Sequence, residues 1–259
     1  MNVLELLSLK GKVCLVSGGA GLYGKCITEG LAEAGGTVVI ASRDVSKCEA
    51  VAVDFRNTGL DVHAMEVDQS DHDSVMRLKN EILEKFGRLD VFVNNAVARP
   101  MKSYEDDLSK FDSSMKVNAT GMMDILREMA DLICRNATGG SIINISSMMG
   151  MFGPDLSNYE GTNMGYPPPD YFFHNAGLLN LARYLARMFA GKQVRVNCVS
   201  PGGLLTNQPP RFLENYCKKV PLGRMAYHDD IKGVMVLLAS EAGAYINGEN
   251  ILMDGGMHA

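Results

Sequence analysis

The sequence predicts an α/β chain built on one doubly wound parallel sheet, and three observations carry that prediction. Short, β-branched apolar runs alternate with segments of helical spacing along the chain. The first such run breaks into glycines and leads directly into a helix. No repeat, low-complexity tract or linker composition divides the 259 residues, so the alternation belongs to a single domain. With 46% hydrophobic and 21% charged residues the chain has an ordinary globular composition. Its net charge of −5 leaves no basic footprint for nucleic acid or an anionic membrane.

The glycine break lies in Val13-Cys14-Leu15-Val16-Ser17-Gly18-Gly19-Ala20-Gly21-Leu22-Tyr23-Gly24. A strand, a glycine turn and a helix in that order form a cradle for a dinucleotide. The turn lets the backbone approach a pyrophosphate, and the free N–H groups and dipole of the helix start favour its negative charge. Gly18, Gly21 and Gly24 permit this. Thr37 to Ala41 is a second strand, ending in Ser42-Arg43-Asp44, where an adenosine ribose would lie. Ser42 with Arg43 suits a 2′-phosphate and favours NADP(H), whereas Asp44 rotating inward would favour NAD(H).

A helix over Ser46–Asn57, a strand from Asp61 to Val67 ending in Asp68, and a helix over Ser70–Phe86 with Ser70 as N-cap follow. Leu89 to Val93 reads as a buried strand closed by Asn94-Asn95-Ala96, whose two amides can tie neighbouring loops to a cofactor or simply form a turn. Ser109–Arg135 is one long helix carrying Lys116-Val117-Asn118, and Gly140–Ile145 is a strand ending in Ser146-Ser147. Residues 148–170 are irregular, rich in glycine and proline, and offer a substrate wall or a surface insertion. Tyr171–Ala190 is helical, and the strand Val194–Val199 runs into Ser200-Pro201-Gly202-Gly203. Residues 202–221 suit a lid, and a helix over Asp229–Ala239 and a strand over Asn250–Met253 complete the chain before Asp254-Gly255-Gly256.

The six cysteines lack metal or disulfide spacing, and most fall in apolar strand or helix patterns, as in a reduced cytoplasmic protein. No signal peptide or membrane-spanning run is evident. The seventeen methionines are dispersed and suit adaptable core packing.

Taken jointly, Ser17-Gly18 through Gly24, Asp68, Asn94-Asn95-Ala96, Asn118, Ser147, Tyr171, Ser200-Pro201-Gly202 and Asp254-Gly255-Gly256 resemble the short-chain dehydrogenase/reductase family over nearly the whole length. The resemblance implies a seven-stranded Rossmann sheet, a nicotinamide dinucleotide, and a homotetramer or homodimer built through the two long helices. It implies cofactor contacts at Gly18, Gly21, Tyr23, Gly24, Ser42, Arg43, Asp68, Asn95, Ala96, Asn175, Pro201 and Gly202. It also implies Ser147 as the group that binds the substrate oxygen, Tyr171 as acid/base, and Asn118 as anchor of a water relay.

One position departs from the pattern. In the family a lysine four residues beyond the tyrosine holds the nicotinamide ribose and favours the phenolate; here that place is Asn175. Tyr159 is the alternative tyrosine, but its fourth neighbour is Asn163 and three prolines follow it closely. His174 could supply a titratable charge or simply be packed. Leu22 stands where many members have glycine, giving the spacing of the family's longer sugar-nucleotide branch, and Val97 replaces a glycine after Ala96. The expected activity is hydride transfer between NADP(H), favoured over NAD(H), and a secondary alcohol or ketone, a polyol or sugar acid in particular. The alternative is a dinucleotide-binding protein with impaired catalysis, serving as a sensor or assembly partner.

Overall fold

Seven apolar runs form one sheet in the computed structural model, which describes residues 1–259. The strands are β1 (Val13–Ser17), β2 (Thr37–Ser42), β3 (Val62–Glu66), β4 (Val91–Asn94), β5 (Gly140–Ile145), β6 (Val194–Pro201) and β7 (Asn250–Met253). All pair in parallel, in the order β3-β2-β1-β4-β5-β6-β7. The chain thus runs outward from β1 to β3, returns across β1, and runs outward again from β4. The two halves meet between β1 and β4, where open α/β sheets bind their ligands.

The nine α-helices are α1 (Val3–Leu7), α2 (Leu22–Glu33), α3 (Val45–Asn57), α4 (His72–Phe86), α5 (Leu108–Met115), α6 (Met122–Cys134), α7 (Pro169–Met188), α8 (Pro210–Cys217) and α9 (Lys232–Ala239). Alternation along the central strands divides the core in two. Leu15, Val39, Phe92, Ile142 and Val196 face a cluster with α4, α6 and α7. Cys14, Val16, Ile40, Val93 and Ile143 face the opposite cluster with α2, α3 and α9. Four cysteines, Cys14, Cys26, Cys48 and Cys198, are fully buried, and all six are free thiols.

Several boundaries differ from the sequence reading for local reasons. The helix assigned to Ser70–Phe86 starts at His72, because Asp71, not Ser70, caps it by accepting from the Asp73 N–H. The Ser70 hydroxyl is turned to the Asp68 carboxylate instead. The long helix over Ser109–Arg135 is continuous but carries a π segment, Lys116–Gly121, between α5 and α6. Residues 148–170 contain two 3₁₀ turns, Met148–Gly150 and Leu156–Tyr159, and α7 begins already at Pro169. The segment 202–221 is largely ordered around α8, whose Phe212 and Tyr216 pack with Met148, Val220 and Met225 in a third apolar cluster.

Those two segments are sewn to each other. Lys219 Nζ donates to Asp155 Oδ2 at 2.6 Å, to Asn158 Oδ1 at 2.8 Å, and to the Ser157 hydroxyl. Asn215 Nδ2 adds a bond to the Glu160 carbonyl at 2.9 Å.

Candidate active site

The largest cavity, about 1380 Å³, opens at the carboxyl edge of the sheet over the β1/β4 crossover. Every residue named above from the sequence as a cofactor or catalytic candidate lines it. A smaller cavity of about 570 Å³ lies at the amino ends of the strands, walled by Lys12, Asp90 and Arg195, and contains none of them.

The glycine turn is as tight as its composition requires. Gly18 has φ +65°, in the left-handed region, and its N–H bonds the Ala41 carbonyl at 2.7 Å. A Cβ on Gly24 would lie 2.2 Å from the Gly18 carbonyl oxygen, so α2 can approach the turn only with glycine there. Gly21 is the N-cap of α2 and offers no capping side chain, which leaves the first N–H groups of the helix open to an anion. Asn95 braces the turn through Nδ2, which donates to the carbonyls of Ser17 at 3.0 Å and Gly18 at 3.1 Å. Ser17 Oγ accepts from the N–H groups of Asn95 and Ala96. Tyr23 donates its hydroxyl to the Gly202 carbonyl at 3.0 Å, joining α2 to the start of 202–221. Burial raises its pKa, and the phenol stays protonated.

At the end of β2 the carboxylate and the guanidinium separate. Asp44 also borders the cleft, but its carboxylate caps α3, accepting from the Lys47 N–H at 3.0 Å. Ser42 Oγ bonds the Asp44 carbonyl. Arg43 is exposed at the cleft wall and pairs with no carboxylate. Burial disfavours the Asp68 charge, but the Ser70 hydroxyl and N–H, with Arg43 and Lys116 nearby, outweigh it and hold the pKa below the usual range.

At the other end of the cleft, Ser147 is buried and N-caps the 3₁₀ turn after β5, its Oγ accepting from the Met149 N–H. Tyr171 stands in the first turn of α7. Tyr159 instead ends the second 3₁₀ turn and packs against Phe212 and Tyr166. Asn175 is 3% exposed and donates Nδ2 to the Tyr171 carbonyl at 2.8 Å. His174 cannot supply a charge at neutral pH: burial pushes its pKa down to about 4.

Asn118 lies in the π segment, and its side chain is fully engaged. Oδ1 accepts from the Ala98 N–H at 2.8 Å, while Nδ2 donates to the Ala98 carbonyl at 2.7 Å and to Ser114 Oγ at 3.0 Å. Ser114 passes the chain on to buried Asp170. The loop after β4, the π segment and the start of α7 are thereby locked together.

The sequence reading missed Gln69, Ser114, Asp170 and Arg99. Gln69 Nε2 bonds the Val117 carbonyl in the π segment. Arg99 lies with its guanidinium 4.8 Å from the centre of the Tyr171 ring. Its signal was present in the Arg99-Pro100 pair, three residues beyond the strand-end motif Asn94-Asn95-Ala96.

A glycine cradle at the crossover of a parallel doubly wound sheet, opening onto a polar cleft, defines a dinucleotide-binding protein of the α/β class. The family model described as enoyl-(acyl carrier protein) reductase matches residues 21–258. A 3-oxoacyl-(acyl-carrier-protein) reductase of Aquifex aeolicus is 32% identical over 97% of this chain and 99% of that protein. A 2-dehydro-3-deoxy-D-gluconate 5-dehydrogenase of Pseudoalteromonas atlantica is 31% identical over 98% of each. The crystal structure of a gluconate 5-dehydrogenase from Burkholderia cenocepacia, in complex with NADP and tartrate, superposes with a TM-score of 0.87 at 25% identity, covering 99% of this chain and 98% of that one. The chain belongs to the short-chain dehydrogenase/reductase family, whose members are NAD(P)-dependent oxidoreductases. No helix is long and apolar enough to cross a membrane.

Proposed function

We propose that the protein is an NADP(H)-dependent dehydrogenase/reductase of a small polar alcohol or ketone, a polyol or sugar acid in particular. The observation that carries this reading is the single cleft that holds the glycine turn and Arg43 at one end and Ser147 with Tyr171 at the other. The cradle fits a dinucleotide, because a side chain at Gly24 would displace its backbone and α2 presents uncapped N–H groups. Gly18, Gly21 and Gly24 would hold the pyrophosphate, Arg43 the 2′-phosphate, Asp68 the adenosine end, and Asn95, Ala96, Asn175, Pro201 and Gly202 the nicotinamide half. When bound, the nicotinamide supplies or accepts the hydride.

The chain's own groups manage the oxygen and its proton. Ser147 Oγ orients the substrate oxygen, and Tyr171 Oη gives or takes the proton there. Asn118 acts by position, fixing the Ala98 backbone and, through Ser114 and Asp170, the base of Tyr171. The Tyr159 and Tyr166 side of 148–170 forms the substrate wall, and 202–221 covers it. A homodimer or homotetramer through α5–α6 and α7 belongs to the same proposal, supported by Phe173, Tyr184 and Met188, each more than half exposed on α7.

A second reading rests on Asn175. Its amide brings no charge to Tyr171, which supports a protein that binds the dinucleotide and turns over slowly. The test of both is a fluorescence titration with NADPH and NADH, with and without sugar acids and polyols, followed by turnover measurements. Tight binding of NADPH with measurable turnover supports the enzyme, tight binding without turnover the second reading, and no binding by the folded protein removes both.

A further inference from the structure

Arg99 is the one strongly basic group beside Tyr171, and the fold leaves it unused. Its guanidinium stacks on the Tyr171 ring at 4.8 Å from the centroid, while its side chain makes no ion pair and no hydrogen bond within the chain. The residue is exposed to the cleft, which it lines. It is nevertheless held in place. Asn118 clamps both the N–H and the carbonyl of the preceding residue, Ala98, and Lys102 Nζ donates to the Arg99 carbonyl at 3.0 Å. An arginine fixed at its backbone and stacked on a ring presents its fork of N–H donors in a defined plane.

The surroundings select the sign of the ligand. Arg99 and Lys102 are exposed at this end of the cleft. Of the acids here, Asp170 is 2% exposed and bonded to Ser114 Oγ, and Asp106 is taken up by the N–H groups of Lys102 and Ser103 and by Lys110 Nζ. His174, edge-on to Tyr171 with ring centres 5.5 Å apart, is neutral, and its buried Nε2 has no partner. A cation stacked on the tyrosine and unpaired within the chain suits a ligand that carries an anion.

Resting on the oxidoreductase reading above, we propose that Arg99 is the specificity-determining anchor for a substrate carboxylate. The substrate is then a short hydroxy or keto acid, its carboxylate on Arg99 and its reacting carbon a few bonds away at Tyr171. A neutral polyol or a long acyl chain would leave the guanidinium without its counter-charge.

D-Gluconate and D-sorbitol share a six-carbon polyol skeleton and differ at one terminus, so they isolate this contact. Calorimetric titration of each into the protein saturated with NADP⁺ is expected to show gluconate bound at least about 10-fold more tightly, the scale of a charge-assisted pair. Arg99→Gln should erase that ratio without changing NADP⁺ affinity or sorbitol binding, and Arg99→Lys should restore part of it. An unchanged ratio in Arg99→Gln, or no preference or no binding of gluconate in the unaltered protein, overturns the proposal. Failure of NADP⁺ itself to bind counts instead against the oxidoreductase reading, and the same pair of titrations on the cofactor-free protein still decides the role of Arg99.

Discussion

Asn175 turns its side-chain amide back onto its own helix, donating Nδ2 to the carbonyl of Tyr171 at 2.8 Å. That bond satisfies a buried amide but leaves no positive charge from residue 175 beside the tyrosine. In Asn175→Lys the ammonium should extend into the cleft that Asn175 lines. The expected outcome is a rise in kcat of about 10²-fold, the lower end of what general acid–base assistance contributes. Steady-state oxidation of NADPH with a panel of keto acids checks it, and an unchanged kcat would show that the chemistry does not wait on this charge.

Arg43 and Asp44 are adjacent, but only Arg43 is free to meet a cofactor phosphate, because Asp44 caps α3. Arg43→Ala should weaken NADPH binding about 10- to 100-fold, as expected for loss of charge-assisted hydrogen bonds, and leave NADH binding unchanged. Fluorescence titration of the two cofactors separates the effects; equal losses for both would place the 2′-phosphate elsewhere.

Gly24→Ala puts a methyl 2.2 Å from the Gly18 carbonyl and 2.9 Å from Gly19 backbone atoms. The turn must move. Overpacking of this kind costs about 1–3 kcal/mol, and the loss of NADPH binding should exceed what the loss of stability explains. Denaturation midpoints and cofactor titration on the same sample test this.

His174 ties stability to pH. The unfolded imidazole titrates near about 6.5, whereas burial lowers the folded value to about 4. Between these values the unfolded chain holds the proton and the folded chain does not. Stability is therefore complete above the unfolded pKa, declines as pH falls through the window, and levels off below the folded pKa. The decline amounts to roughly 3 kcal/mol. Urea midpoints at several pH values should show a shallower slope in His174→Leu, and an equal slope would assign the acid sensitivity to other groups.

Lys219 holds 155–160 against the end of α8. Its bond to Asp155, with those from Ser157, lowers the carboxyl pKa. A depressed carboxylate contributes stability above its ordinary pKa and loses it as pH falls through the folded value. Both groups are partly exposed, so the effect is local rather than global. Lys219→Met should speed proteolytic nicking within 155–160 about fivefold or more at neutral pH, corresponding to about 1 kcal/mol of local opening. The unaltered protein should approach that rate as pH falls into the carboxylate range.

The strands and the cleft were legible in the sequence because their signals are local. A β-branched run ending in Gly18, Asn94 or Ser147 states both a strand and the end of the sheet at which its chemistry lies. Other features depend on contacts that no window of sequence contains. Ser70 and Asp71 are equally good caps on paper, and the choice was made by Asp68, which takes the Ser70 hydroxyl. Residues 202–221 read as mobile from their prolines and glycines, yet Phe212 and Tyr216 have a distant partner in Met148. Arg99 went unremarked in the sequence, because only the packing of α7 brings Tyr171 under it.

The π segment between α5 and α6 holds an extra residue per turn, so everything after it is rotated by about 100° relative to an uninterrupted α-helix. Ser114 just before it and Asn118 within it are joined by a hydrogen bond and turned toward Asp170 and Ala98; downstream, Ile125, Met129 and Ile133 are aimed into the core. One rod thus carries two faces out of phase, like a crankshaft with offset throws. Deleting a single residue from Lys116–Gly121 would remove the offset and bring the throws into line, and no side-chain replacement on either half could then serve both ends.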